Sequence, residues 1–388
     1  MPAPSLGFDQ DEYEKRTTLL QAYMARTDVA AALFTTEAEL RYFTGFRTLF
    51  WQSPTRPWFL FIPQNGKPIA VIPEIGAALM RQTWIDDIRT WSAPTPTDDG
   101  ISLLVELMAP LAQTRKKLGL LKGHETFLRM PLGDYERLIG LLADLEVCDI
   151  TPQIRTQRMV KSSSEIEKIA HICTIASDSF AAMGRLAFVD QGFDDTFRAF
   201  RKECLTQGAD DVPYLVGGAD QDGYIDVISP PSRRPLQKGD IVMLDTGATF
   251  DGYFCDFDRN FAMGKADDHS KLAYDVLWRA TQAGLNAAVP GARACDLFHA
   301  MQKVITTLDN AGGDVGRLGH GLGMQLTEWP SHCAWDKTEL QEGMVLTLEP
   351  SLSYGAGKIM VHGAQGCYHA VRRPSCPYYR SPSYEAAL

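Results

Sequence analysis

Two aspartates stand among apolar neighbours in the stretch IVMLDTGATFDGYFCDFDR: Asp245 and Asp256. Between them Asp251-Gly252 is a two-residue hairpin signal, because both residue types tolerate the positive φ of a tight turn. Folding about that turn returns Asp256 to the neighbourhood of Asp245, opposite or diagonal on the paired strand. Carboxylates so close repel, and burying them is costly unless a cation lies between them. Taken singly, each Asp is more readily a paired charge or a turn cap. His320 in LGHGLGM and Glu349 in MVLTLEPS change the balance. An isolated histidine is usually a satisfied core residue and an isolated strand glutamate often faces solvent. Together, in apolar or glycine-rich frames, the residues offer O, O, N and O donors. That set suits a dinuclear Mn, Fe, Co or Zn site, with ions roughly 3.5–4 Å apart sharing a bridging hydroxide.

The elements that must position these donors alternate along the chain. A helix near Asp11 to Ala25, the strand VAAALFT, the strand WFLFIP, the turn QNGKP and the strand IAVIP describe a small α/β domain reaching about Ile150. Gln64-Asn65-Gly66 between apolar runs predicts a hairpin. A boundary follows, so that residues 1–155 form one domain and 156–388 a second. The second opens on Ser162, which with Glu165 makes a capping box ahead of apolar residues at helical spacing: Ile166, Ile169, Cys173 and Ala176. Beyond it the pattern predicts a helix from about Phe193 to Gln207, strands in VPYLVGG, DIVMLDTG and GYFCDFDRNF, and helices from about Ser270 to Ala288 and over CDLFHAMQKVITTLDNAG.

Composition narrows the function classes. A chain of 388 residues exceeds one typical core, and 45% apolar with 22% charged residues is ordinary for a globular protein. The net charge of −10 comes without any basic run, which argues against nucleic acid as a partner. The N-terminus lacks a basic stretch followed by an apolar one, and no long apolar run occurs, so a cytoplasmic protein without a membrane span is expected. The 8 cysteines include no C-x-x-C pair, which fits reduced thiols.

RYFTGF, VKSSSEIEKI, KGDIVMLDTGATFDGYFCDFDRNF, GHGLGM and LTLEPS, in that order, resemble the pita-bread superfamily of Xaa-Pro aminopeptidases, prolidases, methionine aminopeptidases and creatinase. The resemblance spans nearly the whole chain. It implies an α+β fold, a creatinase-type N-terminal domain before a pita-bread catalytic domain, a homodimer, and a divalent-metal hydrolase cleaving a C–N bond in a small or dipeptide substrate. Asp245, Asp256, His320 and Glu349 match all but one of the family's metal ligands. By that match Asp245 chelates one ion, Asp256 bridges both, His320 binds the second, and Glu349 is ligand and proton shuttle. In relatives the N-terminal domain of one subunit often covers the site of another, which would make Phe50 and Trp51 pocket walls; ordinary core packing is the competing reading.

The chain departs from the family pattern at three places. The region that usually carries a histidine before the first Asp ligand reads DGYIDVISPPSRRPLQKGD, with Ile228 and Ser229, and Thr327 stands where a second histidine is usual. The last ligand position holds Gly363, which lowers the expectation to one weakly held ion or none. Past it the strand pattern stops, so the tail reads either as diverged or as frame-shifted. Alternatives to an Xaa-Pro peptidase therefore stay open: a creatinase-like or ectoine-hydrolase-like amidohydrolase, an osmolyte lyase using Tyr224, Asp222 and Asp226, or a catalytically impaired binding module.

Overall fold

The structure is a computed structural model that describes residues 2–53, 55–308, 316–355, 357–362 and 364–367. It divides into two compact units, one of Ser5–Gln157 and one built from Arg158 onward with the first few residues. Among the described residues no helix is long and apolar enough to cross a membrane. Cys148, Cys204, Cys255, Cys295 and Cys333 are free thiols.

The N-terminal unit is organised by one mixed sheet. Its strands are β1 (Val29–Phe34), β2 (Phe59–Pro63), β3 (Ile69–Pro73), β4 (Asp87–Trp91), β5 (Lys117–Leu120) and β6 (Glu146–Asp149), ordered β4-β3-β2-β1-β5-β6. β2 and β3 pair antiparallel around Gly66, whose φ of 96° is the positive value that the Asn-Gly sequence anticipates. Ala31, Leu33, Phe59, Phe61 and Val71 bury one face of the sheet against Leu104 and Met108 of the helix Ile101–Gln113. Trp51 packs on Trp58 with ring centroids 5.7 Å apart, and Phe50 meets the same ring edge-on at 6.1 Å. The Arg129 guanidinium lies over Trp51 and donates to the carbonyls of Trp51, Ser53 and Arg56. These aromatics pack against one another within their own unit.

The second unit opens on the predicted capping box. Ser162 Oγ accepts from Glu165 N at 3.3 Å and Glu165 Oε2 accepts from Ser162 N at 2.9 Å, which starts the helix Ser163–Ala181. The helix Phe193–Gln207 ends at Gly208, in the left-handed conformation glycine adopts readily. The long strands β7 (Asp211–Gln221) and β8 (Asp240–Phe250) pair antiparallel. The short β9 (Tyr253–Phe254) and β10 (Phe257–Ala262) return along the other edge of β8. A second sheet runs β12 (Glu328–Ser331), β11 (His320–Gly321), β13 (Val345–Leu348), β16 (Ala364–Cys367), and β14 (Ser351–Tyr354) pairs with β15 (Lys358–Val361). Helices Asp268–Ala287 and Ala294–Ile305 cover this assembly, with Leu277, Ala280, Leu297, Met301, Leu346 and Leu348 in its core.

β16 corrects the expectation that strand structure ends at Gly363. The ladder with β13, from Val345↔Cys367 to Leu348↔Ala364, gives this segment a partner that its own sequence pattern does not signal. Gly363 itself and residues from 368 on, where the reading of a shifted tail rests, lie outside the described residues.

Two buried ionic groups hold the site-bearing segments. Lys168 Nζ meets Asp251 Oδ2 at 2.8 Å with both side chains almost fully buried, fastening the β8–β9 turn to the helix Ser163–Ala181. Tyr253 OH adds a hydrogen bond to Glu165 Oε1 at 2.9 Å. Glu328 Oε1 accepts from Arg158 Nη2 at 2.6 Å and its Oε2 lies 3.3 Å from Lys161 Nζ, all three side chains being buried. Burial alone would raise the Glu328 pKa, but the two cations and the Gln325 N–H outweigh it and hold the carboxyl at about 2.

Two tests follow from these groups. Lys168→Met leaves Asp251 buried without its cation and should lower stability by about 3–5 kcal/mol, with Lys168→Met/Asp251→Asn recovering much of the loss in denaturant titrations. Because the Glu328 pKa is depressed in the fold, its contribution is present above the unfolded value of about 4.3 and disappears as pH falls toward the folded value. Acid unfolding followed by circular dichroism should therefore separate wild type from Glu328→Gln above about pH 5, and the gap should close between about pH 4 and 2.

Candidate metal centre

The turn decides which side chains share a face. Asp251 and Gly252 both take positive φ, 46° and 72°, and Phe250 pairs with Tyr253 directly across them. The register then continues without a slip from Thr249↔Phe254 to Thr246↔Phe257 and Asp258↔Asp245. Asp256 therefore lies across from Gly247, diagonal to Asp245, and the residue directly opposite Asp245 is Asp258. On the other edge of β8, Tyr214 pairs with Gly247 and Val216 with Asp245. With a side-chain period of two, Tyr214, Asp245, Asp256 and Asp258 all project from one face. Gly247 keeps the middle of that face low: a Cβ there would press on Leu326 Cδ1 at 2.5 Å and Tyr214 Cβ at 3.3 Å.

The other donors arrive from the second sheet. His320 stands on β11, squeezed between β12 and β13. That squeeze requires its flanking glycines: a Cβ on Gly319, whose φ is 131°, would strike the Thr347 carbonyl oxygen, and one on Gly321 the Trp329 carbonyl oxygen. Glu349 follows the last residue of β13, its N–H donating to Leu318 O at 3.0 Å.

Asp256, His320 and Glu349 each offer one ligand atom, and these atoms lie within 4.8 Å of one another. His320 Nε2 is 3.4 Å from Asp256 Oδ2 and 3.6 Å from Glu349 Oε2. Its Nδ1 is 2.8 Å from Gly321 O; a proton there donates to the carbonyl and leaves the Nε2 lone pair facing the carboxylates. Glu349 Oε1 is buried without a hydrogen-bond partner among the described residues. Ligand atoms sharing an ion at about 2.0–2.2 Å are separated by roughly 3–3.6 Å, so the donor set and its spacing fit a divalent cation.

The electrostatics agree. Burial pushes the Asp245 carboxyl well above the carboxylate range, with the charges of Asp258 and Glu349 adding to it, while the Tyr214 hydroxyl opposes by donating to Asp245 Oδ2 at 3.1 Å. Burial likewise raises Asp256, reinforced by Glu349, Asp245 and Asp258. Burial and the adjacent Asp245 charge push the Tyr214 phenol upward, so it remains a donor. His332, fully buried nearby, is lowered to about 3, chiefly by burial, and stays neutral.

Asp256, His320 and Glu349 thus meet, with Asp245 on the sheet face beside them. Asp258 and Tyr214 belong to the same face although sequence reasoning did not single them out. Asp258 was within reach of the turn's register; an aromatic on a strand, as Tyr214 is, carries no signal beyond packing. Ile228 is 73% exposed and Ser229 Oγ bonds its neighbour Asp226, so neither substitutes for an imidazole. The proposed lyase groups disperse. Tyr224 is buried with its hydroxyl on Asn260 Oδ1 at 2.8 Å, Asp222 sits exposed in a left-handed turn, and Asp226 caps its own loop through Ile228 N.

Comparison with known proteins agrees with this architecture. Residues 167–372 match the model of Metallopeptidase family M24, and residues 16–160 match the Creatinase/Prolidase N-terminal domain. A probable dipeptidase PepE of Mycobacterium tuberculosis is 26% identical over 364 residues, covering 90% of each chain. An Xaa-Pro dipeptidase of Pyrococcus furiosus is 28% identical over 209 residues, 51% of this chain and 57% of that protein. Among solved structures, the prolidase of Thermococcus sibiricus superposes with a TM-score of 0.80 at 22% identity, covering 92% of this chain and 94% of that one. The chain folds as a pita-bread catalytic unit preceded by a creatinase-type domain, and it belongs to Metallopeptidase family M24.

Proposed function

We propose that the protein is a divalent-metal-dependent peptidase that hydrolyses a small substrate, with dipeptides of the Xaa-Pro class as the first candidates. The observation that carries this reading is the convergence of Asp256, His320 and Glu349 on one point. The family match and the relatives named as dipeptidases support the reaction class. A divalent ion held there supplies Lewis-acid polarisation of a carbonyl oxygen and a lowered pKa for water.

The chain's own residues supply the rest. With a proton on Nδ1 donated to Gly321 O, His320 turns the Nε2 lone pair toward the carboxylates of Asp256 and Glu349. Asp256 and Glu349 contribute carboxylate oxygens, and Asp245 is oriented by the Tyr214 hydroxyl. Glu349 has one oxygen toward His320 and a second, Oε1, without a hydrogen-bond partner among the described residues. That second oxygen accepts the proton of the attacking water and passes it to the leaving amine. The exposed Ile228 offers nothing to a substrate carboxylate, which favours a second reading: C–N hydrolysis of a small amidine or amide that carries no such group.

One panel tests both readings. Purified protein with Mn²⁺ or Co²⁺ is assayed against Xaa-Pro dipeptides, creatine-like amidines and cyclic osmolytes, with metal content measured by mass spectrometry. Dipeptide cleavage that EDTA abolishes, and that Glu349→Gln lowers by about 10²-fold or more in kcat, is the expected result. Turnover indifferent to chelation would sink the metal mechanism. Asp256→Asn should lose the metal while, in EDTA, melting roughly 2–4 °C higher than wild type for each kcal/mol of repulsion relieved. A variant that melts lower in EDTA would show that Asp256 is held by protein groups rather than by an ion.

A further inference from the structure

The link between β2 and β3 runs through Gln64, Asn65, Gly66 and Lys67, and Asn65, Gly66 and Lys67 are exposed. In a closed four-residue turn the last N–H donates to the first carbonyl. Here the first carbonyl, Pro63 O, accepts instead from Gln21 Nε2 at 2.9 Å, and the same nitrogen donates to Gly66 O at 2.7 Å. The Gly66 N–H is thereby left without a hydrogen-bond partner among the described residues, and so is the Asn65 carboxamide. Space around Gly66 is open, since a Cβ built there would meet nothing within 4 Å. The flanks do not share this freedom. Gln64 N–H donates to Ala30 O at 2.8 Å and its side chain to Val29 O at 2.9 Å, while Lys67 Nζ pairs with Asp86 Oδ2 at 2.8 Å.

We propose that Asn65 is a site of self-modification, at which the Gly66 backbone nitrogen attacks the Asn65 side-chain carbonyl carbon. The new C–N bond closes a succinimide, the Gly66 N–H proton leaves with the carboxamide nitrogen as ammonia, and no oxidant or reductant takes part. Water then adds to either ring carbonyl and breaks one C–N bond, giving aspartate or isoaspartate. Glycine keeps the attacking nitrogen approachable because it carries no Cβ. Each event replaces a neutral amide with a carboxylate. The isoaspartyl product also lengthens the main chain by a methylene between the two carbonyls that Gln21 spans. Asn260 lacks these conditions: it precedes Phe261, its Oδ1 accepts from Tyr224 OH at 2.8 Å and its Nδ2 donates to Val361 O at 2.6 Å. Asn286 precedes Ala287 within the helix Asp268–Ala287.

The test follows the full chain, wild type and Asn65→Gln, by intact mass and peptide mapping during incubation in mildly alkaline buffer, both folded and in guanidinium chloride. The wild-type peptide bearing Asn65 should gain the mass of an amide-to-acid exchange and split into aspartyl and isoaspartyl forms. The isoaspartyl form should accept a methyl group from S-adenosylmethionine through an isoaspartate carboxyl methyltransferase. Conversion should be as fast in the folded chain as in the unfolded one and faster at higher pH, while Asn260 stays intact in the fold. Asn65→Gln, whose longer side chain must close a larger ring, should leave this peptide unchanged. Asn65 that persists in the folded chain after the unfolded chain has converted overturns the proposal, because the fold would then shield the turn. Equal acid gain in wild type and Asn65→Gln overturns it as well, since the new charge would then arise elsewhere.

Discussion

The register between β8 and its returning strand is the constraint on which the centre depends. Asp251 and Gly252 set it through paired positive φ values, and the Lys168 ion pair with the Tyr253–Glu165 hydrogen bond fixes the turn to a capped helix. A slip of one residue would send Asp256 and Asp258 to the face that now holds Phe257. Every donor on the sheet is thus placed by a two-residue turn and an ion pair well away from the donors themselves.

The cost of that arrangement is electrostatic. Desolvation is the largest influence on both Asp245 and Asp256, and mutual repulsion works in the same direction. The Tyr214 hydroxyl opposes on Asp245 alone. Glu328 shows the contrasting solution with the same residue chemistry: it is deeply buried, yet two cations and a backbone N–H leave it comfortably ionised. One buried acid has cations of the chain beside it and is held ionised, whereas burial and neighbouring carboxylates raise Asp245 and Asp256.

Local chemistry was the legible part of the sequence. The Asp-Gly turn, the Ser162–Glu165 capping box and the helix Phe193–Gln207 are short-range signals, each specified by residues within a few positions of one another. The donors His320 and Glu349 were legible because each sits in a frame that an ordinary core or surface residue would not need. Tyr214, the Arg158–Lys161–Glu328 group and β16 were not, since each acquires its meaning from a partner far along the chain. Asp258 lies between these cases: its pairing with Asp245 follows from the turn, but only once the register is carried through the interruption at Cys255 and Asp256.

The glycines around His320 have a consequence for how this protein can change over generations. At Gly319 and Gly321 any side chain would meet backbone carbonyls of neighbouring strands. Backbone cannot step aside as a flexible side chain can, so mutations at those codons are closed off whatever substrate is under selection. Ile225 and Ile228, exposed at 67% and 73%, carry no such restriction. The frame that seats the His320 imidazole is thus closed to change, while the exposed segment bearing Ile225 and Ile228 is open to it.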